Sequence, residues 1–150
     1  MSALVFVDTN VHLYTKDARD ADKQIRATEW LTWCWTQRTG RISTQVLNEF
    51  YNNAITKFRA VVTLEKAREQ IRMLRLWQPP HLDTHTVDGA WMMQDRFKLS
   101  YWDALIVSSA QQQGCRYLLS EDMQHLQQYD TVRVINPFLT TPADFESLKV

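Results

Sequence analysis

Short apolar runs alternate with longer amphipathic segments along this 150-residue sequence. The runs Leu4–Val7 and Val132–Ile135, together with residues 117–119, have the length and composition of buried strands. Residues 41–43 could form a further strand, but this segment is too short for its pattern to decide. Strands that alternate with helices indicate an α/β domain with a mostly parallel sheet.

The segments between these runs have the apolar spacing and the end signals of helices. A tryptophan-rich helix is predicted to end near Gly40, because glycine often takes the left-handed conformation that follows a helix. Pro79 and Pro80 would end a later helix, since proline cannot continue one. We interpret this pair as a turn between helices, so residues 1–150 are predicted to form a single domain. One further helix is predicted to begin at Ser43 or Thr44. Others are predicted over residues 64–76, 87–99 and 101–113.

Composition excludes several classes of protein. The 17 basic and 17 acidic side chains give a net charge of zero, which argues against a binder that depends on summed cationic charge. An apolar fraction of 45% excludes intrinsic disorder, and no charge-free run approaches the ~18 residues of a membrane span. Cys34 and Cys115 lack metal-site spacing, so both are predicted to be reduced and buried. The N-terminus resembles no targeting signal, so a cytoplasmic protein is expected.

Two aspartates lie just beyond predicted strands. Asp8 follows Leu4–Val7 directly, and Asp122 comes shortly after residues 117–119. The carboxyl ends of parallel strands form one edge of a sheet, where ligands bind, so these two carboxylates can meet there. The alternative is that each aspartate only caps the helix that follows it.

Asp103 and Glu49 lie on predicted helices. Asp103 stands three residues after Ser100, which is the pattern of a helix-capping box. It also heads an apolar stripe with Ile106 and Ala110 that should face the core. The pattern is equally compatible with a cap and with a metal ligand. Glu49 lies on the flank of another apolar stripe, where a solvated glutamate is the simpler interpretation.

These four acids are more informative together than singly. Four carboxylates at one crevice could not all stay ionised without a cation, because like charges at short range disfavour ionisation. Ligands that are all oxygen suit Mg²⁺ or Mn²⁺ better than zinc. Such an ion would lower the pKa of a water molecule and stabilise the oxygens of a phosphodiester. The acids are Asp8, Glu49, Asp103 and Asp122.

Four segments around these acids resemble the motifs of PIN-domain ribonucleases. Residues 6–10 look like the opening motif, and residues 43–50 are similar to the second, in which a strand leads into a helix that carries a glutamate. Residues 101–110 resemble the third motif, with an acid before an Ala-Leu-Ile run. Residues 118–123 resemble the fourth, with a serine two residues before the aspartate. The order and the spacing fit the family over residues 4–137.

The resemblance implies a three-layer α/β/α PIN-like fold and a metal-dependent endoribonuclease that uses Mg²⁺ or Mn²⁺. Glu121 directly precedes Asp122, so either acid could reach the metal. The register of the motif favours Asp122 and leaves Glu121 as an accessory group. The implied catalytic and metal-holding residues are Asp8, Glu49, Asp103 and Asp122, and the implied polar supports are Thr9, Asn10 and Ser120.

Within this family, the length of the chain is similar to that of VapC-like toxins from bacterial toxin–antitoxin pairs. That resemblance implies an RNA substrate, a cognate antitoxin protein as a partner and a homodimer as the oligomeric state. It also implies RNA products with a 5′ phosphate and a 3′ hydroxyl. Association with a membrane is not expected.

A basic stretch follows the predicted glutamate-bearing helix. Its cations could follow an RNA backbone. Alternatively, they form a solvated helix face, with ion pairs from Glu65 to Arg68 and from Glu69 to Arg72. In the resembled family the antitoxin docks on this helical side as well, so the stretch could serve both partners. Its basic residues are Lys57, Arg59, Lys66, Arg68, Arg72 and Arg75.

Aromatic residues and histidines offer further candidates. Three tryptophans, at positions 30, 33 and 35, cannot share one helical face, so at least one is expected to be exposed. Packing in the core or at a subunit interface is favoured for them over stacking on RNA bases. The histidines form no metal-binding or catalytic pattern, and each is expected to be a surface or packing residue. They are His12, His81, His85 and His125.

Two other functions fit parts of the sequence. A phosphatase on a similar sheet would use Asp8 as a nucleophile, but it needs a second acid two residues later, where Asn10 stands. A PIN-like module could also bind RNA or protein without catalysis, although the complete set of acids argues against this. Turnover of small phosphomonoesters would favour the first alternative, and binding of RNA that stays uncut would favour the second.

Overall fold

The computed structural model describes residues 2–148, and the strands in this range form one sheet. They are β1 (Leu4–Val7), β2 (Gly40–Arg41), β3 (Cys115–Leu119), β4 (Gln128–Tyr129) and β5 (Val132–Ile135). Their order across the sheet is β2-β1-β3-β5-β4. All neighbouring pairs are parallel except β4 and β5, which are antiparallel at one edge. The predicted α/β class with a mostly parallel sheet is therefore confirmed.

Helices cover both faces of this sheet. Those in the described residues are α1 (Thr9–Tyr14), α2 (Ala21–Gln37), α3 (Thr44–Ile55), α4 (Leu64–Leu74), α5 (Thr84–Phe97), α6 (Tyr101–Gln112) and α7 (Pro142–Leu148). A short 3-10 helix, Arg75–Trp77, continues α4. The connections from β1 to β2 and from β2 to β3 run in opposite directions across the sheet, so right-handed crossovers place their helices on opposite faces. The architecture is the three-layer α/β/α fold that the resemblance implied.

Strand β1 lies in the middle of the core, where Val5, Phe6 and Val7 are fully buried. Burial on both faces explains why the strand is a continuous apolar run rather than an alternating one. β1 pairs with β3 in a register that places Val7 beside Leu119. The next residues of both strands are polar, so the carboxyl edge of the sheet begins at this point.

The tryptophan-rich helix α2 ends at Gln37, and Arg38, not Gly40, takes the left-handed conformation after it, with φ of 58°. The helix ends near Gly40 as predicted, but the prediction that Gly40 is the left-handed residue after it is wrong. Gly40 instead lies in β2, where a Cβ atom would lie 2.4 Å from the ring of Trp77. The close approach of this ring, rather than the end of a helix, accounts for glycine at position 40.

The expectation that at least one tryptophan of α2 is exposed is also wrong. Trp30 is completely buried, and Trp33 and Trp35 are partly buried. Trp33 packs edge-on against Phe145 of α7, with ring centroids 5.5 Å apart. Trp35 packs against Trp77, with centroids 5.1 Å apart. These two partners cover the flanks of α2, and no short-range pattern indicates such long-range contacts.

The sequence patterns did not predict two short elements, α7 and β4. α7 has only seven residues and β4 only two, so neither produces a recognisable periodicity.

Both cysteines are buried and free, as predicted. Within the described range, no helix has the length and apolarity needed to cross a membrane.

Candidate active site

Asp8 lies at the carboxyl end of β1, in the centre of the sheet edge. Its backbone N–H donates to the carbonyl oxygen of Leu119 at 3.0 Å, which extends the pairing of β1 with β3 by one residue. Its carboxylate accepts hydrogen bonds from the Thr9 N–H at 2.7 Å and from the Ser120 hydroxyl at 2.8 Å. Asp8 thus caps α1 and contacts β3 at once, so the capping alternative and a site role coexist.

The electrostatic state of Asp8 is unusual for an aspartate. Burial raises the pKa of its carboxyl to about 7, although the hydrogen bonds from Ser120 and Thr9 oppose this shift. The negative charges of Asp122 and Glu49 raise the pKa further. A buried carboxylate surrounded by other carboxylates is stabilised in its ionised form by a cation.

Glu49 reaches the same edge from α3. The Thr9 hydroxyl donates to its Oε1 at 3.2 Å, so Thr9 links Glu49 to the end of β1. Burial, followed by the charges of Asp103 and Asp122, raises the pKa of Glu49 against the hydrogen bonds that it accepts. A solvated glutamate, the simpler interpretation of the pattern, does not describe this half-buried side chain.

Asp122 lies in the loop after β3, and no helix begins there, so the capping alternative is wrong for this residue. The amide of Asn10 donates to its Oδ2 at 2.6 Å, and its backbone N–H donates to the Ser120 hydroxyl at 3.2 Å. Desolvation, followed by the charges of Asp103 and Glu121, raises the pKa of Asp122. Ser120 therefore contacts both strand-end aspartates.

Asp103 completes the group from the first turn of α6. Its backbone N–H donates to the Ser100 hydroxyl at 3.2 Å, so Ser100 caps the helix as the pattern predicted. Within the described residues, the Asp103 carboxylate accepts no hydrogen bond. Its negative charge contributes to the raised pKa of Glu49 and of Asp122. The helix is capped by Ser100 while the acid itself faces the site.

Glu121 forms an ion pair that the sequence did not predict. Its carboxylate forms an ion pair with Lys23 of α2, and the Lys23 ammonium also lies over the rings of Tyr14 (4.8 Å) and Phe138 (5.0 Å). Lys23 is 98 residues from Glu121 in the chain, so no local signal indicates the pair. The ion pair holds the Glu121 carboxylate against α2, whereas the carboxylate of Asp122 accepts a hydrogen bond from Asn10.

The carboxylate oxygens at this edge of the sheet suit a divalent ion that keeps several of its water molecules. Within residues 2–148, no three or more histidine, cysteine, aspartate or glutamate side chains are close enough to ligate one metal ion together. Hydroxyl and amide groups donate hydrogen bonds to the carboxylates of Asp8, Glu49 and Asp122. The negative charges of Glu49 and Asp122 still raise the pKa of Asp8. Mg²⁺ commonly keeps several waters and binds through one or two carboxylates. The arrangement fits that mode better than a closed cage of protein ligands.

A model of the PIN domain matches residues 5–131. The chain belongs to the PIN domain family. This match covers most of the sequence, and all four acids of the sheet edge lie within the matched range. A comparison with curated protein sequences found no significant match.

Solved structures with the same fold come from several bacteria. A toxin–antitoxin complex from Klebsiella pneumoniae aligns with a TM-score of 0.63 at 15% identity, over 89% of this chain and 97% of the other. VapBC from Salmonella typhimurium, bound to DNA, aligns with a TM-score of 0.64 at 13% identity, over 91% and 99%. VapC20 of Mycobacterium tuberculosis, a toxin that cleaves the sarcin–ricin loop, aligns with a TM-score of 0.56 at 19% identity, over 79% and 89%. At these identities the likeness shows the fold.

Two cavities lie side by side next to the acids of this PIN domain. The first, of about 420 Å³, is lined by Thr44, Gln45, Asn48, Glu49, Leu82 and Trp102. The second, of about 640 Å³, is lined by Thr44, Leu47, Asn48, Tyr51, Arg68, Ile71, Arg72, Arg75 and His81. Thr44 and Asn48 line both, so the two cavities adjoin along α3, with Glu49 in the first and three arginines in the second. We call the two together the α3 groove.

The basic residues of the stretch after α3 do not share one surface of the folded protein. Arg68, Arg72 and Arg75 line the α3 groove, while Lys66 lines a different cavity on the other side of α4. Lys57 and Arg59 lie in turns after α3, so the prediction that they belong to a basic helix is wrong. The predicted ion-pair partners also differ, because Arg72 pairs with Glu65 at 3.3 Å and Arg68 donates to the Tyr51 hydroxyl at 3.3 Å.

The histidines of the PIN domain take different places. His12 is completely buried behind the site, its Nε2 lies 3.2 Å from the carbonyl oxygen of Val7, and burial lowers its pKa to about 4. His125 accepts a hydrogen bond from the backbone N–H of Asn136. His81 lines the α3 groove, and His85 lines a separate cavity. A packing role for His12 agrees with the expectation.

Proposed function

We propose that this PIN domain is an endoribonuclease that depends on Mg²⁺ or Mn²⁺. The observation that carries the proposal is the convergence of four carboxylates, from the end of β1, α3, α6 and the loop after β3. Burial and the charges of neighbouring carboxylates raise the pKa of Asp8, Glu49 and Asp122. In the proposal the four carboxylates are the catalytic residues and together hold a hydrated metal ion, one or two of them directly and the others through its water molecules. The four are Asp8, Glu49, Asp103 and Asp122.

When bound, the ion supplies Lewis-acid stabilisation of the phosphodiester oxygens and activation of a water molecule. The residues around the acids hold three of the four carboxylates in place for this task, those of Asp8, Glu49 and Asp122. Ser120 and the Thr9 N–H fix the two oxygens of Asp8, and the Thr9 hydroxyl fixes Glu49. Asn10 fixes one oxygen of Asp122 and leaves the other open. Thr9, Asn10 and Ser120 are positioning residues in this proposal.

The fourth acid of the site is assigned to Asp122 rather than to Glu121. The ion pair with Lys23 gives the Glu121 carboxylate a cation of its own. Asp122 forms no ion pair within residues 2–148, and the charge of Lys23, which lowers its pKa, is outweighed by burial and the charges of Asp103 and Glu121. Glu121 then acts as an accessory group that anchors the loop after β3 to α2.

The proposed path for RNA leads from the acids along the α3 groove. Arg68, Arg72 and Arg75 line its far end, where guanidinium groups can hold phosphates through paired hydrogen bonds. Lys57 and Arg59 lie outside the groove-lining set and are left to contact more distant parts of the RNA.

We further propose that the protein is the toxin of a toxin–antitoxin pair and binds a cognate antitoxin protein. The support is the shared fold with a toxin–antitoxin complex, with VapBC and with VapC20, whose described activity is cleavage of the sarcin–ricin loop. A small open reading frame that overlaps this gene or lies just upstream of it would encode the partner. The homodimer stays a prediction.

The test of the enzymatic proposal is RNA cleavage by the purified protein. Cleavage is expected with Mg²⁺ or Mn²⁺, complete loss with excess EDTA, and recovery when excess Mg²⁺ is returned, because the carboxylates need a cation to act together. The readout is gel analysis of a labelled RNA, followed by sequencing of the product ends, which should carry 5′ phosphates.

Three results would contradict this proposal. Cleavage that persists in EDTA would exclude a metal-dependent mechanism. Turnover of small phosphomonoesters with a trapped acyl phosphate on Asp8 would indicate the phosphatase alternative. Binding of RNA that stays uncut under every metal condition would indicate a module without catalysis.

A further inference from the structure

Trp102 is the aromatic residue that immediately precedes Asp103 at the start of α6. It is 63% exposed, and Leu82, which lines the same cavity, is 42% exposed. An exposed indole loses the favourable free energy of burial, and such a ring commonly marks a contact surface for another molecule. None of the site residues proposed above gives Trp102 a role.

The surroundings of Trp102 hold it in a fixed place. The ring of Tyr101 packs against it with centroids 5.5 Å apart and planes at 60°. The side-chain amide of Gln45 donates to the carbonyl oxygen of Trp102 at 3.3 Å. Gln45 lies one helical turn before Glu49 on α3, so this hydrogen bond joins the segment that carries Glu49 to the segment that carries Asp103.

Trp102 and Leu82 form the apolar wall of the α3 groove where it meets Glu49. Its opposite end is lined by Arg68, Arg72 and Arg75. A surface that combines an aromatic ring, a row of cations and an adjoining set of acids matches the chemistry of a nucleotide strand. The ring suits a base, and the guanidinium groups suit phosphates.

We propose that Trp102 stacks on an unpaired base next to the phosphate that is cut, and that the strand continues along the α3 groove to the three arginines. A base inside a duplex has both faces covered by its neighbours, so stacking on Trp102 requires a single-stranded nucleotide at this position. This inference rests on the proposed function and adds to it a residue that binds a base.

The test measures RNA binding in EDTA, where no cleavage is expected, by fluorescence anisotropy with a labelled single-stranded oligonucleotide and a duplex of the same sequence. Loss of one stacked base is expected to weaken single-strand binding by about 10-fold or more in Trp102→Ala. Trp102→Phe keeps an aromatic face and should retain most of the affinity. Trp91→Ala, which removes a 56% exposed tryptophan from α5, is the matched control and should bind like the wild type.

The outcomes separate this inference from the proposed function. Unchanged affinity in Trp102→Ala, or equal binding of duplex and single strand by the wild type, would overturn the stacking role even if RNA is cleaved with Mg²⁺. Weakened binding in Trp102→Ala that Trp102→Phe restores would support it, even if no metal condition produces cleavage. Melting curves of all three variants should match the wild type, since both tryptophans are exposed.

Discussion

Asp8→Asn is expected to abolish metal-dependent RNA cleavage. The substitution preserves the size of the side chain and an oxygen that can accept from Ser120 or Thr9, but it removes the charge at the centre of the carboxylate group. Stabilisation of the transition state by a bound cation contributes several kcal/mol, so the expected loss of rate is about 100-fold or more. The measurement is the initial rate of cleavage of a labelled RNA in Mg²⁺.

The matched control for this variant is Asp95→Asn, which makes the same chemical change at an exposed position of α5. It should cleave RNA at the wild-type rate. Wild-type activity in Asp8→Asn would contradict the assignment of the catalytic carboxylate.

A stability profile shows whether Asp8→Asn is still folded. The folded-state pKa of Asp8 is about 7, above its ordinary value of 3.8, so between these values the folded protein binds more protons than the unfolded chain. In EDTA the wild type should therefore lose stability as pH rises from about 4 to 7, by up to ~1.4 kcal/mol per pH unit. The asparagine cannot titrate, so urea unfolding of the variant should lack this contribution and show a folded protein at pH 7.

Trp30→Ala is expected to be the most destabilising of the substitutions considered. Trp30 is completely buried, and its indole N–H donates to the carbonyl oxygens of Pro137 (3.0 Å) and Thr140 (2.9 Å). Its ring also packs against Trp33 and Phe145. Truncation leaves a large cavity and two buried carbonyls without this donor, at a cost of about 3–5 kcal/mol. Folded domains of this size have only about 5–15 kcal/mol of stability.

Urea unfolding at constant pH measures this loss as a lower midpoint. Trp91→Ala removes an exposed indole and should change stability by no more than about 0.5 kcal/mol. A Trp30→Ala variant with a midpoint like that of the wild type would show that the contacts between α2 and the segment before α7 contribute little to folding.

Local patterns were sufficient for β1, β3 and β5 and for the aspartates that follow β1 and β3. The apolar run of β1 ends at Asp8, and the pairing of Val7 with Leu119 then brings Ser120 beside Asp8. For Asp103 the pattern left a cap and a ligand role open. The structure separates the two, since Ser100 caps the helix through the backbone of Asp103 and leaves the carboxylate to the site.

Features that depend on contacts between distant segments could not be predicted. The ion pair of Lys23 with Glu121 and the packing of Trp33 on Phe145 each join residues about 100 positions apart. Gly40 was predicted to end a helix because that is its commonest local role, whereas the approach of the Trp77 ring decides its place. Such contacts exist only once the helices are packed on the sheet.

Binding of Mn²⁺ tests most directly the central claim that the carboxylates of the sheet edge hold a divalent ion. Electron paramagnetic resonance follows free Mn²⁺ as it is titrated into the metal-free protein. Saturable uptake by the wild type is predicted, with its loss in Asp8→Asn and in Asp103→Asn, the second of which keeps the Ser100 cap because only the backbone of residue 103 forms it. Equal uptake by the wild type and both variants, or no uptake by the wild type, would contradict the account.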